Sequence, residues 1–161
     1  MSNDEQPTIN VKGLDQLLKA LKAKPPTARI GILSGSAPRT SAEAKNPSNA
    51  EIGAVHEFGS IKRNIPSRSF LRVPLTELLN KRLESSGALD KDVMAAVIKS
   101  GTVTPWLTRI MVIAEGIVSD AFDSGGFGKW KKWKDPGYQN NTGMLLVDTQ
   151  QLRNSITTEV K

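Results

Sequence analysis

Residues 104–122, TPWLTRIMVIAEGIVSDAF, constrain the fold more than any other stretch. Thr104-Pro105 is a helix-start signal: a capping threonine, then a proline whose missing N–H is no loss at the first helical position. Trp106, Ile110, Ile113 and Ile117 fall on one helical stripe. Leu107, Met111, Ala114 and Val118 form a second stripe beside it. Polar positions are few before Asp120, so the helix is expected to be covered on more than one side, in a core or at a subunit contact. Gly116 costs about 1 kcal/mol against alanine in a helix interior, which points to close backbone packing there. Ser124-Gly125-Gly126 ends the segment.

The rest of the chain must supply partners for that helix. Residues 1–6 read as a loose tail and 7–161 as a single α+β domain. Thr8–Val11 alternates like a short strand, and Gly13 opens a helix whose Leu14, Leu17, Leu18 and Leu21 share one face until Pro25-Pro26 stops it. Ala28–Leu33 is a strand. Residues 34–49, rich in Ser, Pro, Asn and Ala, read as a mobile loop. Ser48 or Asn49 can cap a short helix carrying Ile52, Val55 and Phe58, which Gly59 ends. Residues 60–69 are irregular and basic. Helical spacing resumes at Phe70 with Leu71, Leu75, Leu78, Leu79 and Leu83, and Pro74 is tolerated near the first turn. Leu89, Val93 and Val97 mark a further short helix up to Gly101. Residues 124–143 read as a second mobile loop. Thr149–Arg153 can make one helical turn, capped by Asp148 or Thr149, before a β-branched closing strand over 155–160. The sum is a small antiparallel sheet of about three to four strands packed against helices.

Composition narrows the chemistry. The chain has 161 residues, no cysteine and a single histidine. That excludes disulfides, thiolate metal sites and a His/Cys zinc site; it leaves carboxylate-only Mg²⁺ or Ca²⁺ sites open, although no calcium-loop pattern is present. The net charge of +6 fits an acidic partner, whether nucleic acid or a protein face, and equally a merely soluble surface. The polar, acidic start MSNDEQPT is no signal peptide, and no apolar run reaches the roughly 20 residues of a membrane span. A cytoplasmic protein is expected.

Three stretches could carry chemistry. His56-Glu57 has no nucleophile in view, and helical neighbours point about 100° apart, so a structural histidine is favoured over a catalytic one. The run Lys62, Arg63, Arg68, Arg72 lacks the closely spaced glycines of a phosphate loop. It reads as a solvated charged loop, as a surface that docks on an acidic partner, or as the lining of a DNA path. Ile65 and Phe70 favour contact. In GKWKKWK, two tryptophans alternate with four lysines. Trp130 and Trp133, with Lys131 and Lys132, can lid the core, anchor a protein interface or stack on single-stranded bases. Gly125-Gly126-x-Gly128 follows a helix, not a strand, and is no nucleotide fingerprint. No cofactor or metal site is legible, and the chain is not expected to be an enzyme.

Two stretches together resemble a known family. Asn49–Gly59, NAEIGAVHEFG, followed by Ile65–Arg72, IPSRSFLR, is similar to the "A-x-x-A-x-x-x-E-F-G … I-P-x-R-x-F-L-R" stretch of tailed-bacteriophage neck and tail-completion proteins. Leu145–Ile156, LLVDTQQLRNSI, resembles their "L-(V/I)-D-T-G-x-L-R-x-S-I" stretch. The pair covers about a third of the chain. In Mu-type virion morphogenesis proteins the second stretch precedes the first. Here the order is reversed, and Gln150 stands where the family usually has glycine.

The resemblance implies roles. His56, Glu57, Phe58 and Gly59 would end a helix and turn the chain. Pro66–Arg72 would hold a fixed loop. Asp148 and Thr149 would cap the turn through Leu152 that launches Ser155 and Ile156 into the closing strand. The implied protein is a structural virion subunit at the head–tail junction, present in the host cytoplasm during assembly. It would form a ring, commonly a hexamer, against neck, connector or tail-tube proteins, with double-stranded DNA passing through the lumen without sequence-specific recognition. Arg63, Ile65, Pro66, Arg68, Phe70, Arg72 and Trp130–Trp133 are the candidate interface. The alternative is a small basic nucleic-acid-binding module that uses the Trp/Lys loop.

Overall fold

The computed structural model describes residues 11–33, 47–131 and 150–161. In chain order these form α1 (Val11–Ala23), β1 (Ala28–Gly31), α2 (Asn49–Phe58), α3 (Arg72–Ser85), α4 (Lys91–Ser100), α5 (Thr104–Asp123), α6 (Gln151–Asn154) and β2 (Thr157–Val160). The class is mixed helix and sheet. No described helix is long and apolar enough to cross a membrane.

α5 organises the molecule. α3 lies along it, the sheet packs on it, α1 packs on α4, and α2 meets α6. β1 and β2 are antiparallel, with Ala28 opposite Val160 and Gly31 opposite Thr157. Reciprocal bonds between Thr27 and Lys161, of 2.8 and 2.9 Å, extend the pairing by one step. Two strands alone are marginal in water, so the sheet depends on its apolar contact with α5. The core is Phe70, Val118, Ala121, Phe122, Trp130 and Leu152, with Ile30, Ile32, Ile52, Leu71, Leu75 and Ile156 packed around it. The Phe122 ring sits 5.1 Å from Phe70 and 5.9 Å from Trp130, edge-on to the latter. Burying rings of this size contributes roughly 1.5–3 kcal/mol apiece.

Several expectations need correcting. The described residues hold two strands, not three to four. Val11 and Lys12, ahead of Gly13, already lie in α1, so Val11 does not belong to a strand; the remainder of Thr8–Val11 lies outside the described residues. β1 ends at Gly31, and β2 starts at Thr157 because Ser155 closes α6. α5 has the expected extent, but Ala114, Ile117, Val118, Ala121 and Phe122 form one buried face while Val112 is 63% exposed. It is therefore buried along one side, not covered around its circumference. Among the described residues nothing lies within 4 Å of a Cβ built on Gly116, so no described backbone packs closely there. Thr104 is the first helical residue, after Val103 at the cap position.

Residues 124–131 carry no helix or strand but are a hydrogen-bonded run of turns. Backbone bonds from Gly126 to Ala121 (2.7 Å), Gly128 to Ser124 (3.1 Å) and Trp130 to Gly125 (3.1 Å) wind them into successive turns. Gly126 has φ +68°, and a Cβ there would overlap the Trp130 indole. The glycine pair thus seats Trp130 in the core. The expected loops over 34–46 and 132–143 lie outside the described residues.

Candidate interaction surface

α2 begins with a full capping box. The Ser48 hydroxyl accepts from the Glu51 N–H at 3.2 Å, and the Glu51 carboxylate accepts from the Ser48 N–H at 2.8 Å. The helix delivers its last turn, Val55-His56-Glu57-Phe58, to the start of α3. There Glu57 is buried, and its carboxylate accepts four bonds. They come from the Ser69 hydroxyl (2.5 Å) and the N–H groups of Phe70 (3.0 Å), Leu71 (3.1 Å) and Arg72 (3.0 Å). The Ser69 hydroxyl in turn accepts from the Val73 N–H at 2.9 Å. Pro74 has no N–H. Every amide that a helix leaves orphaned at its N-terminus is therefore satisfied at α3, chiefly by a side chain from another helix. The negative carboxylate also lies at the positive end of the α3 dipole.

The same junction is tied twice more. The Arg68 N–H donates to the His56 carbonyl at 2.7 Å, and the Ser67 hydroxyl to the Glu57 carbonyl at 2.8 Å. Gly59 has φ +79°, and a Cβ on it would meet the Ser67 nitrogen at 2.9 Å and the Ile65 oxygen at 3.1 Å. Ser60 and Ile65 then pair in antiparallel fashion through bonds of 2.8 and 2.9 Å. Ile61-Lys62-Arg63-Asn64 is the connecting loop, with Asn64 in the left-handed region at φ +52°, which asparagine tolerates.

This locked base presents an unusual tip. Ile61 is fully exposed and Phe58 is 69% exposed. Lys62, Arg63 and Arg72 are exposed beside them, with the Arg72 guanidinium 6.0 Å from the Phe58 ring centroid. An open groove of about 620 Å³ runs along the loop, lined by Phe58, Ile61, Lys62, Ile65, Pro66 and Lys131 among others, with no carboxylate among the described residues of its lining. Lys62 and Arg63 join none of the ion pairs among the described residues.

The candidate interface residues therefore divide. Arg63, Arg72 and Lys131 are exposed, and Ile65 and Pro66 half-buried, on this surface. Arg68, Phe70 and Trp130 are inside the fold, so they cannot touch a partner directly. The Arg68 Nε donates to the Lys131 carbonyl at 3.1 Å, and burial lowers its pKa. The Trp130 Nε1 donates to the Ser69 carbonyl at 3.1 Å. Lys132, Trp133, Asp148 and Thr149 lie outside the described residues. His56 is half-buried, and burial, reinforced by the Arg68 charge, lowers its pKa. The sequence pattern does not mark Ile61 or the outward Phe58 as contact residues. An isoleucine inside a basic, turn-forming SIKRN was the available signal.

The second family-like stretch closes the core from the other side. Leu152 packs into it, and Ile156 lies against it. The Ser155 hydroxyl donates to the Leu152 carbonyl at 2.7 Å, and Arg153 forms a two-bond pair with Asp123 at 2.6 and 2.9 Å. Gln150 adopts φ +58°, the left-handed conformation that glycine favours. The turn thus forms without glycine; its described helical part is Gln151–Asn154, with Gln150 at the cap position and not inside the helical turn. Among the described residues, no group of three or more His, Asp and Glu side chains could hold a metal ion. Comparison with family models, curated proteins and solved structures finds no match.

Proposed function

We propose that the chain is a structural virion protein of a tailed phage or prophage, acting at the head–tail junction as a tail-completion, tail-terminator or neck subunit. In this reading, copies assemble into a ring around the DNA path and bind neighbouring neck, connector or tail-tube proteins. The observation that carries the reading is the exposed Ile61 and Phe58, set among Lys62, Arg63 and Arg72, on a loop whose base the Glu57 carboxylate pins. Apolar side chains held outward on a backbone that is already fixed lose less ordering entropy when they are covered than those of a loose loop, which favours a built contact over a solvated loop. The two family-like stretches also meet in one core, through Phe70 and Leu152. The nucleic-acid reading loses one aromatic, since Trp130 is packed inside and cannot stack on bases.

The test is deletion of the gene, followed by negative-stain electron microscopy of the lysate. The reading expects filled heads beside separate tails for a joining role, or overlong tails for a terminator. Normal infectious particles would contradict it and bring nucleic-acid binding forward.

A further inference from the structure

We infer that the basic, apolar loop at 58–65 is one half of a head-to-tail contact between copies of this chain. Its counterpart is the turn between α3 and α4, built around Leu89 with Glu84, Asp90 and Asp92. The inference rests on the ring reading above and names the partner of its loop.

Three observations lead to it. First, the two patches occupy opposite ends of one strut. α3 has 14 residues and is about 20 Å long. The loop adjoins its N-terminus through the Glu57 lock, and the turn follows its C-terminus. A contact between opposite ends of a subunit is heterologous, and its repetition closes a ring or runs into a filament.

Second, the patches complement each other. The loop offers Lys62, Arg63 and a fully exposed Ile61. The turn offers Leu89, 45% exposed, with Glu84, Asp90 and Asp92 all exposed near it in the chain. Lys91 also belongs to the turn, and the Arg109 guanidinium donates to the Ser86 carbonyl at 2.7 Å, so its charge lies at the turn's edge. Glu84, Asp90 and Asp92 join none of the ion pairs among the described residues. Each patch is an exposed apolar residue among charges that have no ion-pair partner within the described chain.

Third, both patches are preformed. The Ala88 N–H donates to the Leu83 carbonyl at 3.1 Å, and the Trp106 Nε1 donates to the Ala88 carbonyl at 2.9 Å. These bonds hold the turn in one arrangement, as the bonds to Glu57 hold the base of the loop.

The test is a charge swap read by sedimentation velocity of the full chain, at about 0.05 M and about 0.5 M salt. The wild type is expected to self-associate, more weakly at high salt. Lys62→Glu/Arg63→Glu and Glu84→Lys/Asp92→Lys should each weaken association by at least about tenfold. An equimolar mixture of the two should recover it, because the intact turn of one then meets the intact loop of the other, and each reversed patch meets its reversed counterpart. Ile61→Ser and Leu89→Ser supply an uncharged second pair, expected to weaken association without a change in its salt dependence. Circular dichroism checks that all variants are folded.

A monomeric wild type, variants that associate like the wild type, or a mixture that stays apart would each overturn the inference. Those results are separable from failure of the head–tail reading. Unjoined heads and tails on gene deletion, with no recovery in the mixture, would remove this contact alone.

Discussion

Two basic, glycine-containing loops of this chain leave a helix and end in opposite fates. The loop after α5, residues 124–131, winds through Gly125 and Gly126 and drives Trp130 into the core against Phe122 and Phe70. The loop after α2, residues 59–66, turns at Gly59, pairs Ser60 with Ile65 and leaves Ile61 wholly in solvent. In sequence, the Trp/Lys stretch has the stronger look of a binding loop. In structure, its described tryptophan is an internal part, and the plainer SIKRN stretch forms the outward surface. The difference lies in what each loop does with its large apolar residue. Trp130 finds a slot and a carbonyl for its indole N–H, whereas Ile61 finds no slot and is held outward by a fixed base.

The largest test of this contrast concerns the inward loop. Trp130→Ala should cost about 3–5 kcal/mol in chemical denaturation, the usual cost of emptying a ring-sized core site. Ile61→Ala should be within about 0.5 kcal/mol of the wild type, as for a surface change. Equal effects would erase the distinction between the loops.

Next is the lock beneath the outward loop. Glu57→Ala leaves the amides of Phe70, Leu71 and Arg72 without their acceptor in a buried site, and should cost about 3 kcal/mol. Glu57→Gln keeps one acceptor oxygen and should cost less. Hydrogen exchange should show the three amides losing protection in both variants, with the alanine variant the worse. Unchanged protection would mean that α3 does not need this cap.

A smaller effect is expected at Gln150. Relief of its left-handed conformation in Gln150→Gly should stabilise the fold by about 1 kcal/mol, or raise Tm by about 2–4 °C. No gain would contradict the left-handed turn there.

The smallest effect depends on pH. The folded protein holds the His56 pKa below its ordinary value of 6.5, through burial and the Arg68 charge. Below that pH the unfolded chain binds the proton more readily, so stability falls as pH drops through and below about 6.5, and the term vanishes above it. His56→Gln should flatten this slope in Tm measured between about pH 7.5 and 5.5. An identical slope in the variant would assign it to other groups.

Much of this was legible in the residues. Ser48 with Glu51 three residues on is a capping signature, and the stop at Gly59, the α3 stripe and the extent of α5 follow from spacing and caps. What was not legible depends on contacts distant in sequence. Nothing near Glu57 announces that it caps a helix that begins 15 residues later. Arg68 and Arg63 look alike in a basic run. Only the docking of 66–70 against α2 and Lys131 puts one inside and leaves the other out. The depth of burial along α5 likewise depends on where α3 and the sheet settle, which helical periodicity does not specify.

The central claim is that the 58–65 loop serves contact and not folding. It is tested most directly with Ile61→Asp/Lys62→Glu/Arg63→Glu, measured both for Tm and for complementation of the gene deletion in particle assembly. The account predicts a Tm within about 2 °C of the wild type together with lost complementation. Full complementation, or a collapse of Tm, would contradict it.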